Sequence, residues 1–101
     1  MSPVHANLEE IVRLCRRYQV RRLAAFGSIL RGDFDPLHSD ADFLVEFEPV
    51  PVAIRMQNYL ALRDALASLL SRSVDLIEDG AIQNPYILQS VAQHHQVLYA
   101  A

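Results

Sequence analysis

Three carboxylates and a Gly-Ser pair are the residues of this chain whose types and spacing suit phosphate chemistry. Asp40 and Asp42 stand two positions apart in a stretch of alternating apolar and acidic residues. Side chains two apart on a strand share one face, with Cα atoms about 7 Å apart, so this pair could hold one or two divalent cations. Magnesium suits the pair, because it accepts few carboxylates and takes its other oxygens from water and substrate phosphates. Asp75, on a neighbouring strand, would complete the site.

The Gly27-Ser28 pair follows a short apolar run. Glycine lets backbone amides approach a phosphate closely, and a serine hydroxyl beside a helix N-terminus can bind one. Each feature also has a purely structural interpretation. The Asp pair suits a solvated strand edge, Gly27-Ser28 an ordinary turn, and Asp75 a strand-end carboxylate. Their occurrence together in one short chain favours a site.

Apolar periodicity predicts an α+β fold, a small mixed β-sheet packed with helices, in the order α-β-β-α-β-α. The predicted elements are a helix over Leu8–Tyr18 with a capping box at Asn7 and Glu10, strands over Arg22–Phe26 and Ser39–Phe47, a helix from Met56 to near Arg72, a strand over Ser73–Ile77, and a helix over Pro85–His95 followed by an apolar tail, Val97–Tyr99. In the second strand, Ala41, Phe43 and Val45 should face the core and Asp42 the opposite side.

The composition predicts one compact domain over residues 1–101. The chain carries 12 Asp and Glu against 9 Lys and Arg, a net charge of −3, and it contains no lysine. This balance argues against direct nucleic-acid binding, which needs clustered positive charge. The single cysteine, Cys15, rules out an internal disulfide. No signal peptide or membrane span is visible, so we expect a soluble, cytoplasmic protein without a membrane partner.

Histidines are the remaining residues that could do chemistry. His38, His94 and His95 show no spacing typical of zinc ligands. They are interpreted as exposed loop or helix-end residues and are left out of the predicted site. Cys15 lies on the apolar stripe of the first helix, which predicts a buried structural thiol.

The stretch from Gly27 to Phe47, GSILRGDFDPLHSDADFLVEF, resembles the signature of the DNA polymerase β-like nucleotidyltransferases, Gly-Ser followed by Asp-x-Asp. The short chain and the strand Val74-Asp75-Leu76 resemble, more narrowly, the MNT-type minimal nucleotidyltransferases, the antitoxins of HEPN-domain toxins. Eleven residues separate Ser28 from Asp40 where that family usually has ten, which predicts a longer loop around residues 36–38.

This resemblance implies the polymerase β-like palm fold and transfer of AMP from ATP, with Mg²⁺ and most simply two ions. Asp40, Asp42 and Asp75 would be the metal-binding and catalytic residues. Gly27 and Ser28 would hold the β and γ phosphates. Arg31 is a candidate to neutralise phosphate charge, although an ion pair with a nearby aspartate is an open alternative.

The acceptor implied by the resemblance is a tyrosine hydroxyl of a HEPN ribonuclease toxin, in a type VII toxin–antitoxin module. The chain ends about 25 residues after Asp75, which we expect leaves little room for an acceptor domain and favours a protein partner. Two alternatives stay open: an antitoxin that neutralises by binding alone, with an inactive or sensory nucleotide site, and a nucleotidyltransferase acting on RNA or a small molecule.

Overall fold

The computed structural model describes residues 3–26, 41–79, 89 and 95–101. The described elements are α1 (Pro3–Ala6), α2 (Leu8–Arg17), β1 (Val20–Phe26), β2 (Ala41–Phe47), α3 (Val52–Leu70), β3 (Val74–Glu78) and β4 (His95–Ala100). The strands form a sheet in the order β3-β2-β1-β4. Strand β1 runs antiparallel to β2 and β4, whereas β2 and β3 are parallel. The predicted mixed sheet with packed helices is confirmed.

The two faces of the sheet have different roles. Ala41, Phe43 and Val45 of β2 are fully or almost fully buried and belong to the core, which α2 and α3 cover. Asp42 lies between these residues and is half-buried. Because side chains alternate along a strand, it faces the side of the sheet opposite α2 and α3, as the sequence predicts.

Helix α2 forms over nearly the predicted span and buries part of its predicted apolar stripe, whereas Leu8 at its start is exposed. Ile11 and Cys15 are both 0% exposed and pack in the core. The predicted capping box is wrong. Asn7 occupies the N-cap position but makes no side-chain capping hydrogen bond. Glu10 pairs with Arg13 one turn further along the helix instead of reaching back to the cap.

Helix α3 covers the sheet with its C-terminal half. Leu62, Leu66 and Leu70 recur every four residues and are buried in the core. The helix ends at Leu70, two residues before the predicted end, because Ser71 adopts a left-handed conformation with φ 55° and its N–H donates to the Ala67 carbonyl. This is a common way to terminate a helix.

The C-terminal part of the chain differs from the sequence-based prediction. His95, predicted to end a helix, begins β4, and the predicted apolar tail lies within that strand. Gln89 is the described residue of the span 85–94, and it is helical. Pairing with β1 satisfies the backbone groups of both strands and overrides local propensity. The described elements therefore end with a strand.

None of the described helices is long and apolar enough to cross a membrane.

Candidate functional site

Asp42 and Asp75 occupy partner positions on adjacent parallel strands, β2 and β3. Register partners present their side chains on the same face of a sheet, and neighbouring strands lie about 4.8 Å apart. Asp75 is exposed and Asp42 is half-buried. The structure thus brings two of the three predicted carboxylates together, on the face opposite the helices.

Backbone hydrogen bonds at both ends of the pairing fix this register. The Ala41 N–H donates to the Ser73 carbonyl at 3.0 Å, and the Asp79 N–H donates to the Val45 carbonyl at 2.7 Å. A slip by one residue would turn Asp75 toward the core face. The spacing of the two carboxylates is therefore set by the sheet rather than by the side chains themselves.

Tyr59 of α3 holds the other edge of β3. Its hydroxyl donates to the Leu76 carbonyl at 2.5 Å, next in the chain to Asp75. Ser73 and Asp79 make backbone hydrogen bonds to β2, and the residues that do so alternate along a strand, so the Leu76 carbonyl faces the outer edge of β3. The tyrosine therefore satisfies an edge acceptor and ties the strand carrying Asp75 to the helix layer.

One row of register partners crosses all four described strands. Asp75 pairs with Asp42, Asp42 pairs with Phe26, and Phe26 pairs with His95. Phe26 is 7% exposed and ends β1 directly before Gly27. It places an apolar ring on one side of Asp42, while Asp75 lies on the other. Sequence reasoning missed His95, because only a predicted strand at β4 would have placed this residue beside Phe26.

Four predicted site residues lie outside the described residues: Gly27, Ser28, Arg31 and Asp40. The same is true of His38 and His94, which sequence reasoning left out of the site. The roles given to the first four therefore stay predictions.

The described carboxylate pair fits a magnesium ion. Asp42 and Asp75 supply the hard oxygen ligands that this ion prefers, and it keeps several waters and phosphate oxygens besides one or two carboxylates. Within residues 3–26, 41–79 and 95–101, no group of three or more His, Cys, Asp and Glu side chains is placed to hold a metal. A third ligand would come from Asp40.

An apolar groove of about 450 Å³ opens between α3 and β3. Its lining residues are Met56, Tyr59, Leu60, Leu76, Ile77 and Glu78. The groove begins one residue after Asp75 in the chain, on the side of the aspartate pair away from β1. Its apolar walls do not suit a triphosphate, which requires polar and cationic contacts.

The cysteine thiol is not part of any reactive cluster in the described residues. Burial in the core raises the pKa of Cys15 to about 12. A nucleophilic thiol needs a lowered pKa, so the prediction of a structural thiol agrees with its surroundings.

Comparisons with known proteins agree with this geometry. The family described as "Nucleotidyltransferase domain" matches residues 8–98. A Methanocaldococcus jannaschii protein with the provisional name protein adenylyltransferase is 40% identical over 93 residues, which cover 87% of this chain and 91% of the relative.

Two solved structures share the fold. One, described as a minimal nucleotidyltransferase, has a TM-score of 0.75 and 28% identity, with 95% of each chain covered. The other is a complex of a tri-AMPylated Shewanella oneidensis HEPN toxin with an MNT antitoxin. It has a TM-score of 0.64 and 23% identity, with 96% of this chain and 72% of the matched chain covered. The second likeness shows the fold alone.

Proposed function

We propose, because this chain belongs to the nucleotidyltransferase domain family, that it transfers AMP from ATP to a tyrosine hydroxyl of a HEPN-domain toxin and so acts as an antitoxin. The observation that carries the proposal is the pairing of Asp42 with Asp75 on adjacent strands. The provisional name of the methanogen relative supports the reaction. The partner is proposed after the HEPN toxin of the Shewanella complex, whose antitoxin shares this fold.

The reaction is an in-line displacement at the α-phosphate. The tyrosine oxygen forms a bond to the α-phosphorus while the bond from that phosphorus to the bridging oxygen breaks, and pyrophosphate leaves with the bonding electrons. Bound Mg²⁺, most simply two ions, would lower the charge on the phosphates and position the attacking and leaving oxygens. Asp40 and Asp42 would hold these ions.

Asp75 would accept the proton of the attacking hydroxyl or complete the metal site that activates it. It is exposed and shares a face with Asp42, so an acceptor side chain can reach it from solvent. A positioned base contributes roughly 10² to 10⁴ in rate. If Asp75 has this role, removing its carboxylate should lower the rate of AMP transfer by a measurable factor.

Gly27, Ser28 and Arg31 would bind the rest of the triphosphate. Gly27 and Ser28 follow Phe26 directly in the chain, and Phe26 is the register partner of Asp42. Backbone N–H groups and a hydroxyl at this position would accommodate the β and γ phosphates. Arg31 would add positive charge beside them.

We propose that residues 1–101 form a single domain and that this domain acts in the cytoplasm. Cys15 is a free thiol, which suits a reducing compartment. The partner is a protein rather than RNA, in keeping with the net charge of −3.

The deciding experiment is intact-mass spectrometry of the cognate HEPN protein after incubation with this chain, ATP and Mg²⁺. We expect a gain of one or more AMP masses that EDTA abolishes. Asp42→Asn should abolish the gain, because it removes a metal-binding charge at nearly constant volume.

Glu46→Gln is the matched control. Glu46 lies on the same face of β2, four residues and about 13 Å from Asp42, and pairs with Arg21. This variant should transfer AMP like the wild type. No mass gain with a stable complex recovered would favour neutralisation by binding alone. A gain on RNA or a small molecule but not on the toxin would favour the third alternative.

A further inference from the structure

His95 lies on the same face of the sheet as the two aspartates. It is the register partner of Phe26, which pairs with Asp42. The next residue, Gln96, pairs with the fully buried Ala25. Side chains alternate along β4, so Gln96 faces the helices and His95 faces away from them.

A contact of Gln96 confirms this orientation. Its amide oxygen lies 3.0 Å from Nε2 of His5 in α1. Further along β4, Leu98 is buried in the core shared with α2 and α3. Gln96 and Leu98 thus mark the helix side of the strand, and His95 lies on the side of the aspartates.

The row of register partners places the two aspartates at one end and His95 at the other. Asp75 is at one end, Asp42 and Phe26 follow, and His95 is at the other end. Two strand spacings separate His95 from Asp42, about 10 Å between Cα atoms. The gap between the two side chains lies over Phe26, which carries no polar atom in its side chain.

The geometry of in-line displacement relates the two ends of this row to the two sides of the reacting phosphate. The attacking and leaving oxygens lie on opposite sides of the α-phosphorus. If the acceptor hydroxyl approaches at Asp75, pyrophosphate leaves toward β1 and β4. In the chain, Gly27 and Ser28, to which we assign phosphate binding, follow directly after Phe26, the last residue of β1.

We propose that His95 binds the β-phosphate of ATP, and then the departing pyrophosphate, through an N–H of its ring. The inference rests on the proposed function and adds to it a phosphate-binding residue from β4. The ring is exposed, and in the part of the chain that the structure describes it makes no hydrogen bond or ion pair. Its exposed side chain can be reached from solvent.

Nucleotide binding without the acceptor tests the inference directly. Calorimetry would compare a nonhydrolysable ATP analogue with AMP, each in the presence of Mg²⁺. His95→Ala should weaken binding of the triphosphate about tenfold or more, the loss expected for a hydrogen bond to a charged group, and leave AMP binding unchanged. His95→Gln, which keeps an N–H donor, should recover part of the affinity.

His5→Ala is the control, since His5 is also an exposed histidine but lies on the helix side. Its affinity for both nucleotides should match the wild type. Equal weakening of AMP and triphosphate in His95→Ala, or no weakening, would overturn the role of His95. A wild-type protein that binds no triphosphate would overturn the proposed function as well, so the two failures are distinguishable.

Discussion

The Tyr59 hydroxyl donates a hydrogen bond to the Leu76 carbonyl, and through it helix α3 holds the strand that carries Asp75. The bond crosses from the helix layer to the outer edge of β3. We expect Tyr59→Phe to destabilise the protein by about 1 kcal/mol, the net worth of one such bond. Denaturant unfolding would measure it.

Tyr99→Phe is the control for that variant. Tyr99 packs against the same core, and its hydroxyl makes no hydrogen bond in the described residues. Its stability should stay within about 0.5 kcal/mol of the wild type. Equal losses in the two variants would contradict a specific role for the bond to Leu76.

Asp75→Asn should reduce AMP transfer by about 10² to 10⁴ if the carboxylate activates the acceptor hydroxyl. Binding of ATP should persist, because Asp40, Asp42 and the phosphate-binding residues are unchanged. Single-turnover kinetics on the toxin would separate the two effects. Asp79→Asn is the matched control, an exposed aspartate four residues further along the chain, directly after the end of β3. A normally active Asp75→Asn protein would remove Asp75 from the mechanism.

Leu66→Ala should destabilise the fold by about 2 to 5 kcal/mol, because the side chain is fully buried and its removal leaves a cavity. Leu60→Ala, on the same helix but with Leu60 48% exposed, should cost much less. Thermal or chemical unfolding of the two variants would check the difference. Similar losses would mean that the C-terminal half of α3 does not carry the core contact.

Cys15 should be unreactive toward thiol reagents in the native protein and react once the protein is unfolded. Burial raises its pKa from 9.0 to about 12, so the folded state disfavours the thiolate. At alkaline pH the thiol ionises more easily in the unfolded chain than in the folded protein, so unfolding releases a proton. The contribution of the buried, protonated thiol to the free energy of unfolding is therefore complete below pH 9 and is lost between pH 9 and 12. Cys15→Ser would flatten that alkaline dependence. Rapid labelling at neutral pH without unfolding would contradict it.

The alternation of buried and half-buried side chains in β2 was predictable, because apolar and acidic residues largely alternate in its sequence. It correctly placed Phe43 toward the core and Asp42 on the opposite face. The partner of Asp42 was not predictable to the residue. Register between β2 and β3 depends on hydrogen bonds such as that from Ala41 to Ser73, between segments about 30 residues apart in the chain.

Strand β4 escaped prediction for a related reason. Its apolar run is short, and a short run does not distinguish strand from helix. What decides its conformation is the free edge of β1, which the local sequence does not reveal. Because β4 was not predicted, His95 was left out of the predicted site. It lies in the row with Asp42 only because β4 pairs with β1.

The alternation of β2 also bears on how this protein can change over evolutionary time. Phe43 supports the fold, while Asp42, its neighbour, supports the proposed chemistry on the opposite face. A drift of Asp42 to an uncharged residue of similar size would leave the hydrophobic core and the outer surfaces of the helices unaltered. If the proposed role of Asp42 holds, a change of one codon would give a descendant that still folds and binds its partner but has lost catalysis.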